Sequence, residues 1–140
     1  MNKAMNQLTI LGSGTSTGIP MLGCDCPICS TTDQKPKNKR FRTSVLITTS
    51  KGHKIIIDTP PDLRSQLLKN KVDTIDAAII THEHADHVHG IDDLRPFCFG
   101  NPRKEIPVFT NPTTAIDLTA RFPYIFQRQQ FFSKNKPILG

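Results

Sequence analysis

Polar and apolar residues alternate from Gln7 to Leu11 and the alternation then meets glycine. A period of two predicts a first strand there. Ser44 to Thr48 and Lys54 to Asp58 have the same strand character, and Thr49-Ser50-Lys51-Gly52 between them supplies turn residues, which predicts a hairpin. Pro60-Pro61-Asp62 stops the second of these strands and can open a helix. In that helix Leu63, Leu67 and Leu68 are expected on the packed face, with Arg64, Gln66 and Lys69 on the wet face. Ala77 to Ile80 is short, apolar and partly β-branched, the pattern of a buried strand. Ile106 to Thr110 reads as a further strand. Asn111-Pro112-Thr113-Thr114 marks a helix start, Ala115 to Arg121 continues it, and Pro123 ends it. Gln129 to Phe132 is expected as a final strand. Strands alternating with helices predict an α/β domain. Neither a repeat nor a linker divides residues 1–140, so one domain is expected.

Composition narrows the class. With 36% hydrophobic residues, no Trp and one Tyr, the core must be aliphatic and phenylalanine-based. The formal charge of +6 and pI near 9.4 favour anionic partners such as phosphate esters, with nucleic acid allowed but not favoured. Lys35, Lys37, Lys39, Arg40 and Arg42 read equally well as a solvated basic loop. The sequence has no 18-residue apolar run and no hydrophobic leader from Met1 to Ile10, so a soluble, cytoplasmic protein without membrane contact is expected. A homodimer is compatible with these features but not demanded by them.

Chemistry concentrates after the buried strand. Thr81-His82-Glu83-His84-Ala85-Asp86-His87-Val88-His89 places four histidines and two acids within eight residues. In extended chain, residues two apart point the same way, so His82 and His84 can face one cation. Asp86 and His87 follow at a turn and can reach a second position. Imidazole and carboxylate suit zinc, manganese or iron(II), and an open coordination position favours catalysis.

Two cysteine- and glycine-rich stretches come earlier. Gly12-Ser13-Gly14-Thr15-Ser16-Thr17-Gly18 resembles a dinucleotide fingerprint superficially, but Ile19-Pro20 and a cysteine cluster follow where a helix should open. A tight loop passing close to the site is expected instead, with exposed Ser and Thr and free N–H groups able to touch a phosphate. Cys24-Asp25-Cys26-Pro27-Ile28-Cys29 can place three thiolates around one structural zinc, which needs a fourth ligand. Cys98 is a candidate for that place, although its apolar neighbours also suit a buried free cysteine. Asp58, a charge at the end of a buried strand, reads either as a cap or as a carboxylate orienting a ligand histidine.

The His-x-His-x-Asp-His spacing over residues 82–87 resembles the signature of metallo-β-lactamase-fold hydrolases. With Gly12 to Pro20, the cysteine cluster, Ile57-Asp58-Thr59, Pro61-Asp62, Gly90-Ile91-Asp92-Asp93-Leu94-Arg95 and Arg121-Phe122-Pro123-Tyr124, it looks like the subgroup of the phosphoribosyl 1,2-cyclic phosphate phosphodiesterase of phosphonate breakdown. The resemblance implies an αββα sandwich of which this chain is the N-terminal half. It implies that His82 and His84 hold one divalent ion and Asp86 and His87 a second, zinc or manganese. Asp86 is then also the catalytic carboxylate, and Asp58 lies beside the site. It implies one structural zinc on Cys24, Cys26 and Cys29, closed by a later histidine. His89 falls outside the signature and is expected to be structural, as are Asp92, Asp93 and Arg95.

The chain has no histidine after His89. The resemblance therefore implies that the remaining ligands belong to a C-terminal half, required for activity. The expected reaction is hydrolysis of a cyclic or small phosphodiester by a hydroxide held between two metal ions. Thioester hydrolysis of the glyoxalase type, ribonuclease Z-like processing and an inactive, truncated zinc-binding module are the alternatives.

Overall fold

The computed structural model describes residues 5–99 and 103–126. Five strands form one mixed sheet in the order of the chain: β1 (Gln7–Gly12), β2 (Ser44–Thr48), β3 (Lys54–Ile57), β4 (Ala77–Ile79) and β5 (Val108–Phe109). β1, β2 and β3 are antiparallel neighbours, whereas β3, β4 and β5 run parallel. It follows that β1, β3, β4 and β5 all end at the same edge of the sheet. Among the described residues four α-helices accompany it: α1 (Leu63–Lys69), α2 (Ala85–Val88), α3 (Pro112–Arg121) and α4 (Pro123–Phe126). A 3-10 helix over Ile91–Cys98 adds a fifth packing element. The final strand expected at Gln129 to Phe132 lies outside the described residues.

Among the described residues the sheet has one covered and one open face. Leu46, Ile56 and Ala78 stand opposite one another in register and are buried beneath Leu63 and Leu67 of α1 and Ile91 and Leu94 of the 3-10 helix. One residue along in each strand, the side chains turn to the opposite face. There Ile10, Val45, Ile57 and Ile79 align, as do Leu8, Ile47, Ile55 and Ala77, and none of the eight is buried. Leu8 and Ile10 are 63% and 64% exposed. The described residues thus form one helical layer and one sheet of the expected sandwich. An apolar face of this kind marks a surface built to meet another surface.

The first helix departs from its expected orientation. Gln66 is fully buried and Leu68 is exposed, the reverse of the expected arrangement. The reason is a polar contact: the Gln66 amide donates from Nε2 to the carbonyl of Arg42 at 2.8 Å, tying α1 to the entry of β2. The hydrogen bond satisfies the buried amide nitrogen, and the helix rotates accordingly. β2 forms with the expected bounds, β1 runs one residue past Leu11, and β3, β4 and β5 are shorter than expected. β5 spans two residues rather than the five from Ile106 to Thr110.

Candidate metal centre

The histidine motif begins where β4 ends. Ile80 is buried, and its amide still bonds the carbonyl of Phe109. Residues 81–84 then leave regular structure, and Ala85–Val88 forms the short helix α2. The His82 and His84 ring centroids lie 4.6 Å apart, and those of His82 and His87 lie 4.0 Å apart. His89 stays apart from them. It is exposed and meets Phe122 edge-on at 6.1 Å.

Asp58 braces this group from the end of β3. It is 3% exposed and adopts φ 59°, a left-handed conformation that Asp tolerates better than most residues. From there its carboxylate accepts the Thr81 amide at 2.8 Å, the Thr81 hydroxyl at 2.8 and 3.0 Å, and the His87 Nδ1 proton at 2.7 Å. The last bond leaves the lone pair of His87 on Nε2. Asp86 Oδ2 lies 3.3 Å from that nitrogen, so the two atoms can share one cation. Thr81 extends the same logic to His82. Its hydroxyl proton is committed to Asp58, so its oxygen can only accept from His82 Nδ1 at 2.9 Å. One buried carboxylate thereby selects the tautomer of two imidazoles and leaves both Nε2 atoms free. Donors of this kind fit a divalent cation, because neutral imidazole oriented through its second nitrogen is the usual form of a ligand histidine.

Backbone contacts fasten α2 to the same turn. The Thr59 amide donates to the His87 carbonyl at 2.7 Å, and the Gly90 amide donates to the Thr59 carbonyl at 2.8 Å. A Cβ at position 90 would meet the Pro60 carbonyl oxygen at 1.9 Å, so only glycine permits this approach.

The thiols of Cys24, Cys26 and Cys29 lie within 4.8 Å of one another. Among the described residues they are the one set of three or more His, Cys, Asp or Glu side chains whose ligand atoms are so close. Cys26 has its pKa lowered to about 7, first by the Cys29 amide N–H and then by the Cys24 thiol. The Met21 amide favours the Cys29 thiolate, but the neighbouring thiols and burial outweigh it and raise that pKa. Crowded thiols cannot all ionise cheaply without a cation, and these three donors fit one zinc. Cys98 is not gathered with them. Its sulfur faces the Leu94 carbonyl at 3.8 Å in the 3-10 helix, and burial raises its pKa.

The glycine loop lies at the metal end of the sheet. Its Gly14 amide donates to the Phe41 carbonyl and its Gly18 amide to the Thr15 carbonyl, so these two N–H groups are used within the protein. Ser13, Thr15, Ser16 and Thr17 are exposed. Arg42 is not part of a solvated loop. Its guanidinium pairs with Asp62 at 3.0 Å and donates to the Ser16 carbonyl at 2.8 Å. Lys35, Lys37, Lys39 and Arg40 are exposed.

Asp92 accepts the Tyr124 hydroxyl and pairs weakly with Arg95 at 3.7 Å. Asp93 has its amide bonded to the Gly90 carbonyl. Sequence reasoning assigned no role to Thr81, Glu83, Thr114 or Arg121. The Glu83 carboxylate accepts the Thr114 hydroxyl, and the Glu83 carbonyl accepts Arg121. Thr81 stood inside the motif, whereas Thr114 and Arg121 carry no local signal of their contact.

Among the described residues no helix is long and apolar enough to cross a membrane. Comparison with known proteins gives one consistent family. A solved diphosphatase of the PhnP family is 43% identical, with a TM-score of 0.79, over 88% of this chain and 49% of that one. An octanoyltransferase of Porphyromonas gingivalis is 43% identical over 122 residues, 87% of this chain and 24% of the relative. Zinc-bound PqqB of Methylobacterium extorquens, at 22% identity and TM-score 0.71, covers 84% of this chain and 41% of its own, and shares the fold. The chain spans about half the length of the diphosphatase and about a quarter of the octanoyltransferase. Residues 53–138 match the beta-lactamase superfamily domain, and the chain belongs to that family, with the metallo-β-lactamase fold that its histidine motif led us to expect.

Proposed function

We propose that this chain supplies part of the active site of a metal-dependent hydrolase acting at phosphorus, on a cyclic or small phosphodiester. The observation that carries the reading is the double constraint on His87. Asp58 takes its Nδ1 proton at 2.7 Å, and Asp86 stands 3.3 Å from its Nε2. His82 and His84 hold one divalent ion in this reading, and Asp86 and His87 a second, with zinc or manganese as the metal. When bound, such ions lower the pKa of water towards about 7 and neutralise charge developing on phosphoryl oxygens.

The chain's own residues prepare that chemistry. Asp58 keeps the imidazoles in the ligating tautomer. Asp86 brings a carboxylate to the mouth of the site, where it orients the attacking water. The exposed lysines of residues 35–39 raise the local concentration of anionic substrate. Cys24, Cys26 and Cys29 hold a structural zinc that stiffens the loop after β1. The remaining ligands come from sequence corresponding to the other half of the longer relatives.

A diphosphate linkage is the second reading, supported by the 43% identity to a PhnP-family diphosphatase. The test is a substrate panel with manganese or zinc, run on this chain together with the sequence that completes the site: a cyclic phosphodiester, a bis-aryl phosphodiester, a diphosphate ester, a thioester and a transfer-RNA precursor. Turnover of the phosphodiesters is expected. Preference for the diphosphate establishes the second reading. Thioester or RNA cleavage alone overturns both, and zinc binding with no turnover identifies a non-enzymatic module.

A further inference from the structure

The peptide between the two histidines is held from outside the motif. In the extended segment His82-Glu83-His84, the Glu83 side chain points away from the imidazoles. Its carboxylate meets Thr114 Oγ1 of α3 at 3.1 Å. Thr114 is 1% exposed, and its oxygen also faces the Asn111 side-chain amide, which donates to it at 3.0 Å. The threonine proton is thereby directed at Glu83. Seven residues along the helix, Arg121 Nη1 donates to the Glu83 backbone carbonyl at 2.6 Å. Between them Leu118 is buried against Ile80 and Val88, one residue before the loop and one residue after the motif. Residues 114, 118 and 121 recur at i, i+4 and i+7, so they share one face of α3. That face contacts the middle of the motif and the residues that flank it on either side. A further hydroxyl, of Thr110 just before the helix, donates to the Ile80 carbonyl at 2.8 Å.

The grip falls where the backbone is least constrained. Thr81 is tied to Asp58, and His84 opens α2, whereas Glu83 lies between them outside regular structure. We propose that α3 sets the spacing of His82 and His84 by holding Glu83, and that Thr114 and Arg121 are positioning residues for a cation bound by those imidazoles. The inference rests on the reading above that His82 and His84 ligate a divalent ion. Neither residue touches the cation. Each reduces the number of conformations the loop must abandon on binding, which appears as affinity.

Cobalt(II) titration of this chain together with the sequence that completes the site tests this, because thiolate-bound cobalt absorbs in the near ultraviolet and imidazole-bound cobalt does not. Both sites are then read in one experiment. T114V removes the hydroxyl at nearly constant volume, T114S restores it, and R121M acts from an exposed position if T114V does not fold. T114V and R121M are each expected to weaken the imidazole site by roughly tenfold, the lower end for residues supporting a metal ligand. The thiolate bands are expected to titrate as in the wild type, and T114S to bind as the wild type does. Unchanged imidazole affinity in both T114V and R121M overturns the inference alone. Equal weakening of both sites also overturns it, since that is general destabilisation. A wild-type chain with no imidazole-bound cobalt removes the reading of the site and the inference with it.

Discussion

The thiol and imidazole clusters of this chain are assembled in opposite ways. Cys24, Cys26 and Cys29 come from six consecutive residues and converge through local turns, with the Cys29 amide on Cys26 and the Met21 amide on Cys29. The surrounding loop is largely exposed, with Leu22 at 97% and Ile28 at 50%. His82, His84 and His87 are also close in sequence, but their orientation is imposed from β3 through Asp58 and from α3 through Thr114 and Arg121. A locally gathered set needs a cation to hold it, because crowded thiols repel once ionised. An externally braced set has its side-chain orientations fixed beforehand, although its ligand atoms are not gathered as closely as the thiols. The difference predicts that metal stabilises the loop at the first site and that the fold stabilises the geometry at the second.

The sharpest separation is expected from two substitutions made in parallel. His84→Ala should abolish metal-dependent turnover and leave zinc on the thiols, whereas Cys26→Ala should mainly lower stability. With zinc near 1,000 times its dissociation constant, that loss is about 4 kcal/mol. Thermal unfolding, metal counting and the substrate panel together measure it. Matching losses in both variants would mean that the clusters are not separate sites.

Next in size is the floor beneath the imidazoles. Ile56→Ala empties the covered face between Leu46 and Ala78 and should cost about 2–5 kcal/mol in chemical denaturation. The affinity of the thiols for zinc should not change, because their loop draws little from that core. Ile55→Ala on the open face should cost visibly less, and a cost as large would show that face to be covered in solution.

Asp58→Asn comes third. It keeps the volume but leaves one acceptor oxygen where the carboxylate has two, so it cannot fix both tautomers, and the imidazole site should weaken by about 10- to 100-fold while the thiol site is unaffected. Calorimetric titration distinguishes this from a loss shared by both sites.

The smallest effect lies at the end of the sheet remote from both clusters. The Asp76 carboxyl is held below the usual carboxylate range, first by the Lys104 ammonium and then by the Lys54 amide. A depressed pKa in the folded state contributes stability above the unfolded pKa of about 3.9, and that stability is lost as pH falls through the folded value. The carboxylate is 29% exposed, so the contribution is at most about 1 kcal/mol. Asp76→Asn should flatten the acid limb of the metal-free stability profile without moving either metal affinity.

The strand at 44–48, a strand from Lys54 that ends one residue earlier than expected, the helix starting at Pro112 and the position of both clusters were legible in the sequence, because short-range pattern and ligand spacing are local properties. Asp58 was legible as one of two alternatives, and only the structure shows its carboxylate bonded to a histidine 29 residues away. The rotation of α1 was not legible, since helical periodicity assigns Gln66 to water and only its bond to Arg42 places it inside. The internal use of the Gly14 and Gly18 amides was hidden for the same reason.

By itself the order of residues determined which side chains could serve as ligands and which strand would present them, since alternation and spacing act over a few bonds. Tertiary structure alone decided which nitrogen of each braced imidazole carries its proton and what grips the peptide between two ligands. Those outcomes depend on hydrogen bonds that close loops of about thirty residues, and no local pattern encodes where such loops meet.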